Sequence, residues 1–433
     1  MEGQVSEFRV LRYREPVRVS AALTAIRGSG NDLWIAPNLA IISLTDALPV
    51  TDYRVGPRAT GDAKFVADAR VPAGWEPLAD GGELPICLPV ALASFPFLPG
   101  GEAYFGIPRR AVVIVEGRAY LVAQENGAVS DNWWEGYLPD FAAVELVLDK
   151  AAGEAMRPDS PPDLLSDVEL KSWMRAVQSV QEHIAAGEAQ KVVLARQLSG
   201  TSETPIDERG LIARLWWRYH EDCWIYAVDG LLGATPEMLA QVCQGAFSAR
   251  VLAGSAPVGQ GRELLASAKN LAEHRVAVDS VREALTGVLP QLRISVEPEL
   301  LELPNVVHLS TRVEADSAGH TVLELVAALH PTAAVCGMPR ETAGDLINRF
   351  EGLDRGRYAG PVGWVDADGN GQLAIALRCV ELRGRDWRVF AGAGIMPDSD
   401  PQREFAETAT KMRPVLDALF GAASSRRIGD SNP

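Results

Sequence analysis

The sequence predicts an α+β fold in which mostly antiparallel sheets are flanked by helices. Three observations lead there. Residues 1 to about 150 hold short apolar runs split by Gly, Pro and Asn turns, with few and brief helical signals. Beyond them, paired strand-like runs joined by short turns alternate with helical periodicities, which favours antiparallel sheets over a doubly wound parallel one. Finally, 47% of the 433 residues are hydrophobic, enough for a large core, and a chain of this length suggests two or three units on size alone.

Taken in order, residues 111–115 (AVVIV) and 119–123 (AYLVA) read as strands. The stretch 151–167, AAGEAMRPDSPPDLLSD, is the best boundary, because Pro158, Pro161 and Pro162 break both helix and ladder. Trp173, Met174, Val177, Val180 and Ile184 then recur at helical spacing, with Gly187 as the stop. KVVLARQL reads as a strand, as do 224–228 and 238–242 around a turn GATPEM. Helices are expected over 263–288, 321–329, 342–350 and 401–419, and strands over 372–382 and 387–391. The tail 421–433, small and polar, reads as disordered.

Asp and Glu number 57 against 41 Lys and Arg, a net charge of -16, which argues against a nucleic-acid binder that would grip phosphates with cations. Cys87, Cys223, Cys243, Cys336 and Cys379 show neither zinc-ligand spacing nor a disulfide ladder and read as reduced thiols. The N-terminus carries charges every few residues, unlike a signal peptide, and no apolar stretch approaches the roughly 18 residues of a membrane span. The expectation is a cytoplasmic protein with a small-molecule or protein partner.

Several residues could carry chemistry. Lys191 opens a strand; it is either a solvated end residue or a desolvated base, and spacing does not decide between them. Glu237 follows Pro236, where a bend could aim its carboxyl into a cleft or leave it an ordinary turn residue. Glu404 and Glu407 share a face of the final helix, which Ser399, Asp400 and Pro401 start; with Glu273 they form an acidic set suited to Mg²⁺ or simply to water. Gly392, Ala393 and Gly394, read as a loop between strand and helix, would let backbone N–H groups approach a small carboxylate. Arg378, read as part of the strand LAIALRC, suits a carboxylate or a structural ion pair, and His330 ends a helix where carbonyls could satisfy it.

The wording and order of eight blocks resemble the chorismate-utilising enzymes, the family of anthranilate synthase component I, and within them the isochorismate-synthase branch. The blocks are KVVLAR, GATPEML, LAGS, AKNLAEH, LHPTAAVCG, RYAGPVGW, ALRC and AGAGIMPDSDPQREFAET, spread over residues 165–420. The resemblance implies a four-layer α/β/β/α fold whose sheets are completed by residues 1–160, a single large unit with the catalytic region at 165–420. It also implies a Mg²⁺-dependent reaction on chorismate, with water entering at C2 as the C4 hydroxyl leaves. Lys191 would be the base and Glu237 the acid, with Glu273 and Glu407 as metal ligands and Glu404 nearby. Ser255, His330, Ala334, Tyr358, Arg378 and the backbone of Gly392, Ala393 and Gly394 would hold substrate. Ammonia-using relatives, the anthranilate and aminodeoxychorismate synthases, usually carry Gln where this chain has Lys191, so a water-using enzyme without an amidotransferase subunit is implied, with a monomer as the default. Salicylate synthases share the lysine but often carry Thr where this chain has Ala334, so the product should stop at isochorismate. LAGSAPVG departs from the pattern in lacking the Arg of many AGTxxRG segments. The non-enzyme alternative, a silent chorismate-binding subunit, should have lost the base, acid or metal carboxylates, all of which are present. Menaquinone and aryl-acid siderophore synthesis both draw on isochorismate, and these residues do not separate the two.

Overall fold

The structure, a computed structural model, describes residues 6–26, 30–44, 47–49, 64–65, 75–78, 84, 86–126, 139, 141, 164 and 166–420. Two sheets dominate, of 13 and 10 strands among the described residues. Every strand pair in them is antiparallel except Ser6–Tyr13 with Lys64–Phe65. Arg110–Val115 and Arg118–Asn126 are antiparallel neighbours in the larger sheet, joined by the turn at Glu116 and Gly117. The early part of the chain joins both sheets: Leu33–Ala36 pairs with Trp224–Val228, and Val90–Ser94 with Pro361–Asp366.

Side-chain alternation explains how the layers close. Along Leu33–Ala36, Trp34 faces the smaller sheet, where its Nε1 donates to Gln372 Oε1 at 2.8 Å, and Leu33 and Ile35 face the other way. The core between the sheets holds Trp34, Ile41 and Val113 from one and Leu92, Met238, Val362 and Leu373 from the other. A second core lies between the outer face of the larger sheet and the helices Glu208–Tyr219 and Pro401–Phe420. Ala268–Leu285 and Val322–Leu329 cover the smaller sheet, which gives the order helix, sheet, sheet, helix.

Helix ends follow local chemistry. Asp167–Ala185 stops at Gly187, whose φ of +78° suits the left-handed position, while Gly187 N and Glu188 N return to the carbonyls of Ile184 and His183. Thr321 and Glu324 form a capping box at the start of Val322–Leu329. The final helix starts as read, with Pro401 first and Asp400 Oδ1 accepting from Arg403 N at 2.9 Å.

Four expectations are corrected. The helix over 263–288 is two helices, Gly261–Ala266 and Ala268–Leu285, broken at Ser267, whose hydroxyl caps the second by accepting from Asn270 N. GATPEM is not all turn: Leu231–Thr235 is strand, and only Pro236 and Glu237 leave it before Met238–Cys243 begins. The run 372–382 is two strands, Gly371–Ile375 and Cys379–Arg383, so Arg378 lies between them. The glycines at 392 and 394 are not in a loop, because Asp386–Ile395 is one continuous strand paired along Lys191–Thr201. The boundary 151–163 and the tail 421–433 fall outside the described residues. The five cysteines are free thiols, and no helix among the described residues is long and apolar enough to cross a membrane.

Candidate active site

The site is built where the chain passes between the sheets. Leu231–Thr235 lies in the larger sheet and Met238–Cys243 in the smaller; Gly371–Ile375 lies in the smaller and Cys379–Arg383 in the larger. The two passages run side by side. Ile375 N donates to Glu237 O at 3.0 Å, Ala234 N to Arg378 O at 3.2 Å, and Thr235 Oγ1 to Ile375 O at 2.6 Å. Neither passage can continue a ladder, so Glu237 and Arg378 are turned out of the sheets into a partly open cavity of about 80 Å³. Arg378 takes a φ of +49°, a left-handed value that costs a long non-glycine residue, which these backbone bonds hold in place.

Glu237 is 4% exposed, and burial pushes its carboxyl up to about 8, although the Leu252 amide and the charges of Lys191 and Lys411 pull the other way. It is therefore a protonated acid at neutral pH.

Lys191 is 1% exposed at the start of its strand, and its Nζ meets Glu273 Oε1 at 3.1 Å. Glu273 is delivered by Ala268–Leu285, which the buried His274 pins to the smaller sheet: its Nδ1 donates to Ala253 O at 3.0 Å and its Nε2 accepts from Thr311 Oγ1 at 2.7 Å. The ion pair packs on Gly394. A Cβ there would lie 2.7 Å from Lys191 Cε and closer still to Glu273 Oε1. Gly394→Ala should consequently displace both side chains and lower kcat/KM by about 10²-fold, with the melting temperature little changed. Steady-state kinetics beside a thermal melt checks this, and wild-type kinetics would mean that the pair is free to shift without consequence.

Gly392 and Gly394 present their backbone to the same cavity, though from a strand. Gly392 O accepts from Lys411 Nζ at 3.0 Å and Gly394 O from Ser399 Oγ at 3.5 Å, on the edge away from Lys191–Thr201. In an antiparallel strand the N–H and C=O of one residue point the same way, so these two amides face that edge as well. Ala393 has the opposite register and is absent from the lining.

On the other wall, Arg378 Nη2 lies 3.0 Å from His308 Nε2 and Ser255 Oγ lies 2.9 Å from His308 Nδ1. A guanidinium only donates, so Nε2 is the acceptor and Nδ1 carries the hydrogen that goes to Ser255. Burial, together with Arg378 and Lys411, holds His308 well below the usual imidazole range and so neutral. Ser255 keeps its own hydroxyl hydrogen to donate into the cavity. Arg378 Nη1 donates to Lys411 O at 3.1 Å. That carbonyl sits where the final helix carries Pro414, which has no N–H for Thr410 O; Asn305 Nδ2 donates to that oxygen instead, at 3.2 Å. Tyr358 stacks on Phe390 at 4.9 Å between centroids, and it and Ala334 complete the wall.

The acidic set is spread among lysines. Glu404 is 5% exposed and bonded to Lys269 Nζ at 3.0 Å, and Glu407 to Lys411 Nζ at 2.6 Å; of the three acids only Glu273 lines the cavity. Among the described residues no three acidic, His or Cys groups converge closely enough to hold a metal as they stand. His330 is not brought to the cavity: its Nε2 donates to Phe97 O at 2.9 Å, and burial lowers the ring to about 4. The sequence reading missed His308, Lys411, Lys269 and Arg355. Lys411 could have been found from its place four residues after Glu407 on one helix face.

The sequence pattern of the family described as chorismate binding enzyme matches residues 89–420. The chain belongs to the chorismate binding enzymes. Among the relatives of this family member, the isochorismate synthase MenF of Bacillus subtilis is 32% identical over 309 residues, 67% of this chain and 65% of that protein. The isochorismate synthase DhbC of the same organism is 36% identical over 272 residues, 58% of this chain and 68% of that protein. The match thus spans about two thirds of the length of each. The crystal structure of MenF, the menaquinone-specific isochorismate synthase of Escherichia coli, superposes with a TM-score of 0.71 at 21% identity, covering 96% of both chains. That likeness shows that this chorismate binding enzyme shares the fold.

Proposed function

We propose that the protein is an isochorismate synthase, which adds water at C2 of chorismate while the C4 hydroxyl leaves. The observation that carries this reading is Glu237, a buried carboxyl that desolvation pushes up to about 8, lining one cavity with Glu273, which in turn holds Lys191 Nζ at 3.1 Å. Lys191, acting as the free amine, takes a proton from the entering water and Glu237 gives one to the departing hydroxyl, so the proton count closes with no net change. The carboxylates of the substrate meet Arg378, Lys411, Ser255 and the Gly392 and Gly394 amides, which oppose the net charge of -16 locally. Lys191 in place of Gln supports water over ammonia, and Ala334 supports a product that stops at isochorismate. A silent binding subunit is disfavoured because base, acid and carboxylates are all present.

The donors fit Mg²⁺ in kind. Burial and then the neighbouring Glu407 raise the Glu404 carboxyl, and Lys269 only partly offsets this, which marks an oxygen-donor pair with unrelieved repulsion. Glu273 and Glu407 would hold the ion, with Glu404 beside them; bound there, it would neutralise a substrate carboxylate. The reading extends to a cytoplasmic monomer acting without an amidotransferase.

The deciding experiment incubates the purified protein with chorismate and resolves the products, with Mg²⁺ and with a chelator. Isochorismate should form only with Mg²⁺, and chorismate should bind at least about tenfold more weakly without it. Anthranilate made with ammonia, or salicylate plus pyruvate as the main product, would replace this reading, and tight metal-free binding would remove the magnesium role.

A further inference from the structure

We propose that the buried pair Glu351–Arg355 is a positioning unit that holds the strand carrying Lys191 at a set distance from the Ala334 segment; this rests on the isochorismate synthase reading. The edge of Lys191–Thr201 is laddered to Gly337–Met338 only at Lys191 and Val192, after which Val193 N reaches Cys336 O at 2.7 Å and the ladder ends. The next edge groups would be left bare. Instead Val193 O accepts from Arg355 Nη2 at 2.7 Å, and Ala195 N donates to Glu351 Oε2 at 2.6 Å. Arg355 Nη1 donates to Val335 O at 2.9 Å, beside Ala334, and its guanidinium lies 4.1 Å from the centre of the Phe97 ring. The two side chains are joined at 2.7 and 2.6 Å and are 1% and 3% exposed.

The pair does for this edge what a further strand would do, and it adds a strut across to the Ala334 segment. Val193, Val335 and Arg355 all line the cavity, so the strut spans from one wall to the other. Stability alone does not account for it, because a buried ion pair is commonly matched by apolar residues of similar volume. Apolar residues could not bond Val193 O, Ala195 N and Val335 O at once, and that bonding carries the fixed separation past the point where the ladder ends.

The test is the double variant Glu351→Leu with Arg355→Met, and beside it Arg355→Lys, which keeps the charge but replaces the rigid fork whose two nitrogens reach Val335 O and Val193 O with a single point donor. Three readouts are taken: thermal melting, kcat and KM for chorismate with Mg²⁺, and amide hydrogen exchange at Ala195. The double variant should melt near the wild type, lose at least about tenfold in kcat with KM changed far less, and exchange Ala195 faster. Arg355→Lys should show the same split between kcat and KM, so the test stands if the double variant does not fold. Wild-type kcat in either folded variant overturns the positioning role. A wild-type protein that makes no isochorismate overturns the functional reading instead, and Ala195 exchange unchanged in the double variant overturns the bonding itself.

Discussion

Replacing Lys191 by alanine is expected to lower kcat for chorismate by about 10²–10⁴-fold while the protein remains folded. The loss is large because Lys191 is the proposed base and its neighbour at 3.1 Å, Glu273, is proposed to hold the metal instead. The fold survives because Glu273 lines an open cavity, where water can solvate it once the lysine side chain is gone. Circular dichroism and a thermal melt verify folding, and single-turnover kinetics separate chemistry from binding. Turnover at the wild-type rate in a folded Lys191→Ala protein would take the lysine out of the mechanism.

Glu237→Gln should cost a comparable factor, since glutamine keeps the shape and cannot give up a proton. This variant also carries a pH signature. With the carboxyl pushed up to about 8, the acid form is lost as pH rises through that value, so wild-type kcat should fall on an alkaline limb near pH 8. The residual rate of the variant should lack that limb. Stability runs with the same sign: a folded-state pKa raised above the ordinary 4.5 favours the folded state fully below pH 4.5, and that contribution is lost as pH rises toward about 8. Above pH 8 the glutamine variant should therefore melt higher than the wild type. An alkaline limb that persists unchanged in Glu237→Gln would assign it to another group.

The sequence made the long, periodic elements legible and missed where the chain changes sheet. Trp173, Val177, Val180 and Ile184 announce their helix because an amphipathic stripe is a local property. Glycine at 392 and 394 signals a loop by composition, yet pairing with Val193–Ala195 across the sheet overrides that preference. Arg378 reads as a strand residue because it follows the continuous apolar run LAIAL; the break at 376–378 comes from the jump between sheets, which no local pattern records. Lys191, Glu237 and Glu273 were found through motif resemblance, but their burial and pairing are tertiary facts. His308 and Arg355 carried no motif signal, since a histidine in a strand and an arginine after a helix are read as core or surface until partners 70 and 162 residues away are seen.

The side-by-side passages at Pro236–Glu237 and 376–378 have a mechanical consequence. They stitch the two sheets together covalently beside the cavity that Glu237 and Arg378 line, so sliding of one sheet over the other is resisted there by peptide bonds instead of by side-chain packing alone. Loosening the sandwich elsewhere, for instance at Leu92 or Val362, would soften the molecule without spreading the reacting groups. Robustness and turnover are then separable properties of this chain, and sequence drift in the inter-sheet core can proceed while the chemistry is held fixed by the stitches.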